Sequence, residues 1–335
     1  MRSTGLRARA LARTAARGAA AAAGLLAVAT RVTPWPSALA IRAIFDRGAA
    51  RASSALERHV PGGLVEDVDE AYDISSPDGR LDVFRPERDE PLATVVWVHG
   101  GAFVSGSKGD VANYLRVLAG RGFATVGVDY SIAPGSRYPT PVRQVAAALA
   151  HLVDHADRLG IDTTRIVLAG DSAGAQIAAQ VALIATDETY ARGVGIALDM
   201  LPDGVRGVVL FCGAYDFTLA RGSTRLGGWL VDTAIWSYLG SQRHDERITT
   251  QGSIPQNLTS AFPPAFVSAG NGDPLLPHTL GLVESLESHG VEHETLLFAD
   301  DHQPRLGHEY QLDLDTPAGR EALDRSVAFL QRVTS

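Results

Sequence analysis

The stretch Arg165–Gln180, RIVLAGDSAGAQIAAQ, decides the fold. A compact apolar run, RIVLAG, meets an Ala-rich run, AQIAAQVALIA, through the five residues Gly170-Asp171-Ser172-Ala173-Gly174. The first run reads as a buried strand and the second as a helix. A G-x-S-x-G turn between them lets two backbones pass closely at the glycines and lifts a serine oxygen clear of the sheet. On this reading Ser172 is a nucleophile, and the following helix points its positive amino end at it.

Working outward, the same alternation recurs. TVVWVHGG, FATVGVDY, VRGVVLFC, PAFVSAG and HETLLFA are short apolar runs closed by Gly, Asp, Cys or Ala. Between most of them lie helical stretches such as GDVANYLRVLAGRG, TPVRQVAAALAHLVDHADRLG and LPHTLGLVESLESHG. Continuous apolar strands separated by helices predict an α/β fold, a mainly parallel sheet covered by helices on both faces. Ahead of them, EAYDIS and LDVFRP flank SPDG and read as two opening strands joined by a hairpin turn. Ligands of such a sheet gather at the carboxyl ends of its strands, where Ser172 stands.

The chain has 335 residues, 45% of them hydrophobic, enough for one large domain with an appendage. Its net charge of −8 is unevenly spread: residues 1–45 hold seven arginines and no acid, so the remainder carries 23 basic against 38 acidic side chains. That acidic body is a poor nucleic-acid binder. The one cysteine, Cys212, excludes an internal disulfide and a multi-cysteine zinc cluster. Its apolar setting, VVLFCGAY, reads as a buried structural thiol.

Residues 1–60 form a separate helical segment. Arg2, Arg9, Arg13 and Arg17 fall roughly on one helical face, and 13 uncharged residues, Gly18 to Thr30, follow. That run is shorter than the ~20 apolar residues a bilayer span needs. Three readings stay open: a cleaved secretory signal with Ala27-Val28-Ala29 as its site, an interfacial helix in peripheral contact with a membrane, or a soluble cap helix. They imply a secreted, a membrane-associated and a cytoplasmic protein respectively. After Pro34 and Pro36 an amphipathic helix is expected to run toward His59.

A second motif stands at the end of an earlier strand. HGGAF, His99 to Phe103, supplies small residues whose backbone N–H groups can approach the oxyanion of a tetrahedral intermediate. Gly100 and Gly101 would donate from this loop and Ala173 from the residue after the serine. His99 reads as a residue that holds the loop's shape. Phe103 and Val104 are expected to line the site, together with Tyr215 from a long insertion at about 215–262 that also holds Trp229, Trp236 and Tyr238.

With these stretches in hand, the chain over roughly residues 66–330 resembles the hormone-sensitive-lipase family of α/β-hydrolases, a group of carboxylesterases and lipases. HGGAF resembles the family's HGGG loop, DYSIAPGSRYPTPVRQ its D-Y-R-L-A-P segment, and GDSAG its nucleophile motif. Ala102 departs from the third glycine of the loop, which is expected to tighten that pocket, and Ala175 from a glycine often found after GDSAG. The resemblance implies the α/β-hydrolase fold for residues 61–335, with a helical cap.

Triad partners should follow in the order Ser, acid, His. Asp273, in SAGNGDPLLP after an apolar strand, has the D-P-L setting of the family's acid. The loop DDHQPRLGHEYQLDLD offers two bases. The family's usual loop length falls near His302; the sequence His308-Glu309-Tyr310 is closer to the family's H-G-F. His308 is preferred, with the excursion HQPRL returning the chain to the sheet edge. The chemistry calls for no metal and no organic cofactor. The expected activity is hydrolysis of a small-molecule ester through an acyl-enzyme. A sugar-ester deacetylase, a lactonase, or a binding protein that has kept only the pocket are the alternatives.

Overall fold

The structure, a computed structural model, describes residues 28–198, 201, 204–219 and 226–335. The Arg- and Ala-rich run 1–27, with the readings attached to it, lies outside the described residues. Eight strands form one sheet: β1 (Leu64–Ala71), β2 (Arg80–Pro86), β3 (Leu92–Val98), β4 (Ala124–Val128), β5 (Ile161–Asp171), β6 (Gly207–Phe211), β7 (Ala265–Ala269) and β8 (His293–Leu297). Their order is β1-β2-β4-β3-β5-β6-β7-β8. β1 and β2 pair antiparallel, as do β2 and β4, while β4, β3, β5, β6, β7 and β8 run parallel.

The central runs are apolar on both faces because helices cover both. Val96, Val98, Leu168 and Leu210 point into one core with α3 (Thr140–Asp154) and α4 (Ser172–Thr186). Val95, Trp97, Val167, Ala169, Val209 and Phe211 alternate into the other, against α2 (Lys108–Ala119) and α7 (Pro317–Val333). The period of two is therefore present, but hidden in the sequence by the absence of a wet face. A remaining helix, α6 (Leu276–Ser288), packs by β7.

The opening hairpin differs from the sequence reading. β1 ends at Ala71, so EAYDIS is mostly turn rather than strand, and LVEDVDEA is the strand. The reason is local: the Asp73 carboxylate accepts from the Ser75 amide at 2.9 Å and its hydroxyl at 2.6 Å, which draws the chain out of the ladder. Glu66 and Asp69 on this edge strand pair with Arg116 and Lys108, and Asp67 lies 3.7 Å from Arg85, so a charged sequence still pairs as a strand.

Helix α1 (Trp35–Leu56) begins directly after Pro34 and buries Ser37, Ala38, Ile41 and Leu56. It packs against α5 (Leu226–Leu239), which belongs to the segment inserted between β6 and β7. No helix among the described residues is long and apolar enough to cross a membrane.

The β5–α4 turn is held by backbone contact. A Cβ on Gly170 would lie 2.7 Å from the Val98 carbonyl oxygen, and one on Gly174 would collide with the carbonyl oxygens of Val98 and His99. Gly174→Ala should therefore cost roughly 2 kcal/mol or more of stability, since the clash is with backbone that cannot swing away. Urea denaturation of the variant against the parent measures it; an unchanged midpoint would contradict this packing.

Candidate active site

β5 hands over to α4 at Ser172, whose φ is +52°, a left-handed conformation that a β-carbon disfavours. That turn aims the serine oxygen off the carboxyl edge of the sheet. Ser172 Oγ lies 2.9 Å from His308 Nε2, and His308 Nδ1 lies 2.9 Å and 3.1 Å from the two oxygens of Asp273. In the tautomer that the carboxylate requires, Nδ1–H donates to Asp273 and Nε2 accepts from the serine hydroxyl. Asp273 Oδ1 also accepts from the Leu275 amide at 2.7 Å, which anchors the acid in the turn just before α6.

The loop after β8 delivers His308 and keeps His302 away. Asn271 is the clamp. Its Nδ2 donates to the carbonyls of Ala299 and His302, both at 3.1 Å, while its Oδ1 accepts from the Leu306 amide at 2.9 Å. The Gly272 amide donates to the Leu306 carbonyl at 2.8 Å. These bonds pin both ends of residues 299–306 to the loop after β7, so the chain re-enters at Gly307 beside Asp273. His302 packs its ring on Phe298, centroids 4.9 Å apart. Downstream, Ser268 Oγ donates to the Leu296 carbonyl and so accepts from the Tyr310 hydroxyl at 2.6 Å, holding the far side of the loop.

The HGGAF loop lies next to the elbow. Gly101 has φ +113°, and Ala102 and Phe103 follow at +53° and +61°, two consecutive residues with side chains in the region glycine favours. The DYSIAP segment props this turn: the Tyr130 hydroxyl donates to the His99 carbonyl at 2.9 Å, and the Ala133 amide donates to the Phe103 carbonyl at 2.8 Å. His99 stacks on Tyr130, and its Nδ1–H donates to the Gly100 carbonyl at 2.8 Å. Burial lowers its pKa to about 4, so the ring is neutral and serves the loop's shape. Ala173 lies in the first turn of α4, whose amides have no acceptor within the helix.

The three residues expected to face substrate are buried. Val104 and Tyr215 are fully buried, and Phe103 stacks on Tyr238 of α5 at 4.0 Å with Phe217 edge-on. An aromatic beside a catalytic loop has two apolar neighbourhoods to choose from, and here the inserted helix claims it.

Other neighbours carried no motif signal. Arg42 of α1 donates to the carbonyls of Val104 and Ala133 at 2.7 and 3.2 Å, and Ser105 Oγ donates to Asp46 at 2.6 Å, so α1 is fastened to the oxyanion-type loop. Asp171 is buried, receives the Trp97 indole N–H at 2.7 Å, and turns its other oxygen toward Glu309 above Gly100. Burial first, and then the facing Glu309 carboxylate, push the Asp171 carboxyl well above the usual carboxylate range. Glu309 Oε1 also lies 3.7 Å from His308 Nε2. Glu309 has φ +58°, a backbone conformation that its sequence setting, HEY, does not announce.

The family model of the alpha/beta hydrolase fold matches residues 95–302, which include Ser172 and Asp273. The chain belongs to the α/β-hydrolase family. Among solved structures, esterase B from Lactobacillus rhamnosis superposes with a TM-score of 0.79 at 21% identity, covering 89% of this chain and 96% of its own. A Pyrobaculum calidifontis esterase gives 0.70 at 24%, covering 89% and 94%. A bacterial heroin esterase gives 0.70 at 22%, covering 88% and 91%. At these identities the likeness is one of fold. It agrees with the hormone-sensitive-lipase resemblance carried by HGGAF, DYSIAP and GDSAG.

Desolvation favours the neutral His308 ring, but the hydrogen bond to Asp273 and the nearby Glu309 carboxylate outweigh it and hold the pKa well above the ordinary value. A base works only when unprotonated, so activity should fall as pH drops through a value above the ordinary 6.5. Glu309→Gln removes one of the raising charges and should move that acid limb to lower pH. A pH profile of kcat/KM for parent and variant checks both signs.

Proposed function

We propose that the protein is a serine carboxylesterase acting on small-molecule esters. The single observation that supports this most is the unbroken hydrogen-bonded line Ser172–His308–Asp273 at the carboxyl edge of the sheet. In this mechanism Ser172 attacks the ester carbonyl while His308 Nε2 takes its proton, and Asp273 stabilises the imidazolium that forms. The backbone amides of Gly100, Gly101 and Ala173 receive the oxyanion. The tetrahedral intermediate collapses as His308 returns the proton to the leaving alcohol, and water then repeats the cycle on the acyl-enzyme. Esterase B, similar in fold, has also been solved with a tributyrin phosphonate inhibitor. The rival reading, a binding protein with a silent pocket, loses support because acid, base and nucleophile stand within hydrogen-bonding reach.

Hydrolysis of p-nitrophenyl esters of increasing acyl length tests the proposal. Ser172→Ala and His308→Ala should each lose about three orders of magnitude or more in kcat. His302→Ala should stay within a few-fold of the parent, because its ring is engaged with Phe298. Undiminished turnover by Ser172→Ala would remove the esterase reading.

We also propose that the amino-terminal end makes peripheral contact with an anionic membrane surface. Val28, Val32, Trp35 and Leu39 are exposed, Val32 at 72% and Trp35 at 43%, and they follow a run with five arginines and no acid. The acidic body would be repelled by the same surface, which confines contact to this end. Vesicles of phosphatidylglycerol should sediment the protein, vesicles of phosphatidylcholine should not, and Val32→Asp with Leu39→Asp should release it. Equal recovery from both vesicle types would speak against the charge argument.

A further inference from the structure

Beside the triad stands a group that the reaction does not use. Cys212 follows β6 directly, is 1% exposed, and has a positive φ of 44°. Its Sγ, a ring nitrogen of His308 and a carboxylate oxygen of Asp273 all lie within 4.8 Å of one another. Three strand ends thus bring together one thiol, one imidazole and one carboxylate, the three donor types that zinc takes in proteins. Burial pushes the thiol up to about 11, so in the resting protein Cys212 is a neutral, small apolar filler.

We infer that Cys212, Asp273 and His308 form an inhibitory site for a borderline-soft divalent cation such as zinc. Donors around a tetrahedral zinc ion sit roughly 3.5 Å apart, given bonds of about 2.0–2.3 Å, so closing the cluster needs movements on the order of 1 Å. His308 is the member able to make them: its side chain is 30% exposed, whereas that of Asp273 is fully buried. Zinc would enter past the imidazole, and the thiol proton would leave to solvent as the Zn–S bond forms. Coordination occupies the imidazole nitrogen or draws the carboxylate away from Nδ1, so the base can no longer accept the Ser172 proton. Magnesium and calcium, which prefer oxygen ligands, gain little from a site with one carboxylate.

The inhibitory consequence rests on the esterase reading; the metal site does not. The experiment therefore has two readouts on the full chain. In metal-free buffer, zinc chloride should inhibit ester hydrolysis reversibly, with activity returned by a chelator, while magnesium and calcium at the same concentration leave it unchanged. Cys212→Ala and Cys212→Ser, active without metal, should need at least about tenfold more zinc for the same inhibition. Cobalt(II), as the spectroscopic stand-in, should give a thiolate-to-metal charge-transfer band in the near ultraviolet with the parent and with Ser172→Ala, and none with either Cys212 variant. The cobalt band in a protein without esterase activity would sustain the site and remove the inhibitory role. Equal zinc sensitivity in the parent and both Cys212 variants, or no thiolate band with the parent, would overturn the site.

Discussion

The elbow depends on a contact between backbones. Gly170 and Gly174 sit so close to the carbonyls of Val98 and His99 that neither tolerates a β-carbon, and this approach is what lets β5 turn into α4 within one residue. Ser172 absorbs the turn in a left-handed conformation that costs on the order of 1–2 kcal/mol for a residue with a side chain. The cost is offset by the packing of β3, β5 and α4, whose facing side chains are almost all fully buried. The same contact puts the HGGAF loop against the elbow, because Val98 and His99 lead directly into it. The proposed nucleophile and oxyanion donors are therefore positioned by one packing event.

Around that centre, polar side chains fasten loops that have little apolar surface of their own. Asn271 ties the residues before His308 to the loop after β7, where Asp273 also stands, so acid and base are positioned by one anchored pair of loops. Arg42 and Asp46 do a similar service for the loop after β3, from a helix far away in sequence. Breaking either clamp would leave buried acceptors unsatisfied, a cost of about 1–3 kcal/mol each.

The electrostatics of the site are crowded with carboxyls. Asp273, Glu309 and Asp171 surround one imidazole, and two of the three lie in the low-dielectric interior. The arrangement favours a positive His308, as the reaction's transition state requires, and it separates the roles of the acids. Asp273 is bound by the Leu275 amide as well as by His308, whereas the buried Asp171 faces Glu309 and tends to retain a proton.

Much of this was legible in the sequence. The apolar runs predict the parallel strands from TVVWV to HETLL, and GDSAG and HGGAF predict the two turns, because glycine spacing reports directly on close backbone approach. The choice between His302 and His308 was not settled by spacing, since both lie on one loop; Asn271 decided it by pinning the excursion. Phe103, Val104 and Tyr215 read as site walls; all three are buried, and Phe103 packs on Tyr238 of the inserted helix. EAYDIS read as a strand because alternation is blind to an Asp-Ser turn. Arg42 and Glu309 gave no signal, and Cys212 read only as a buried structural thiol. Local chain geometry and the sign of burial are written in the order of residues, whereas contacts between strand ends some 28 to 136 residues apart exist only once the sheet has brought those ends together.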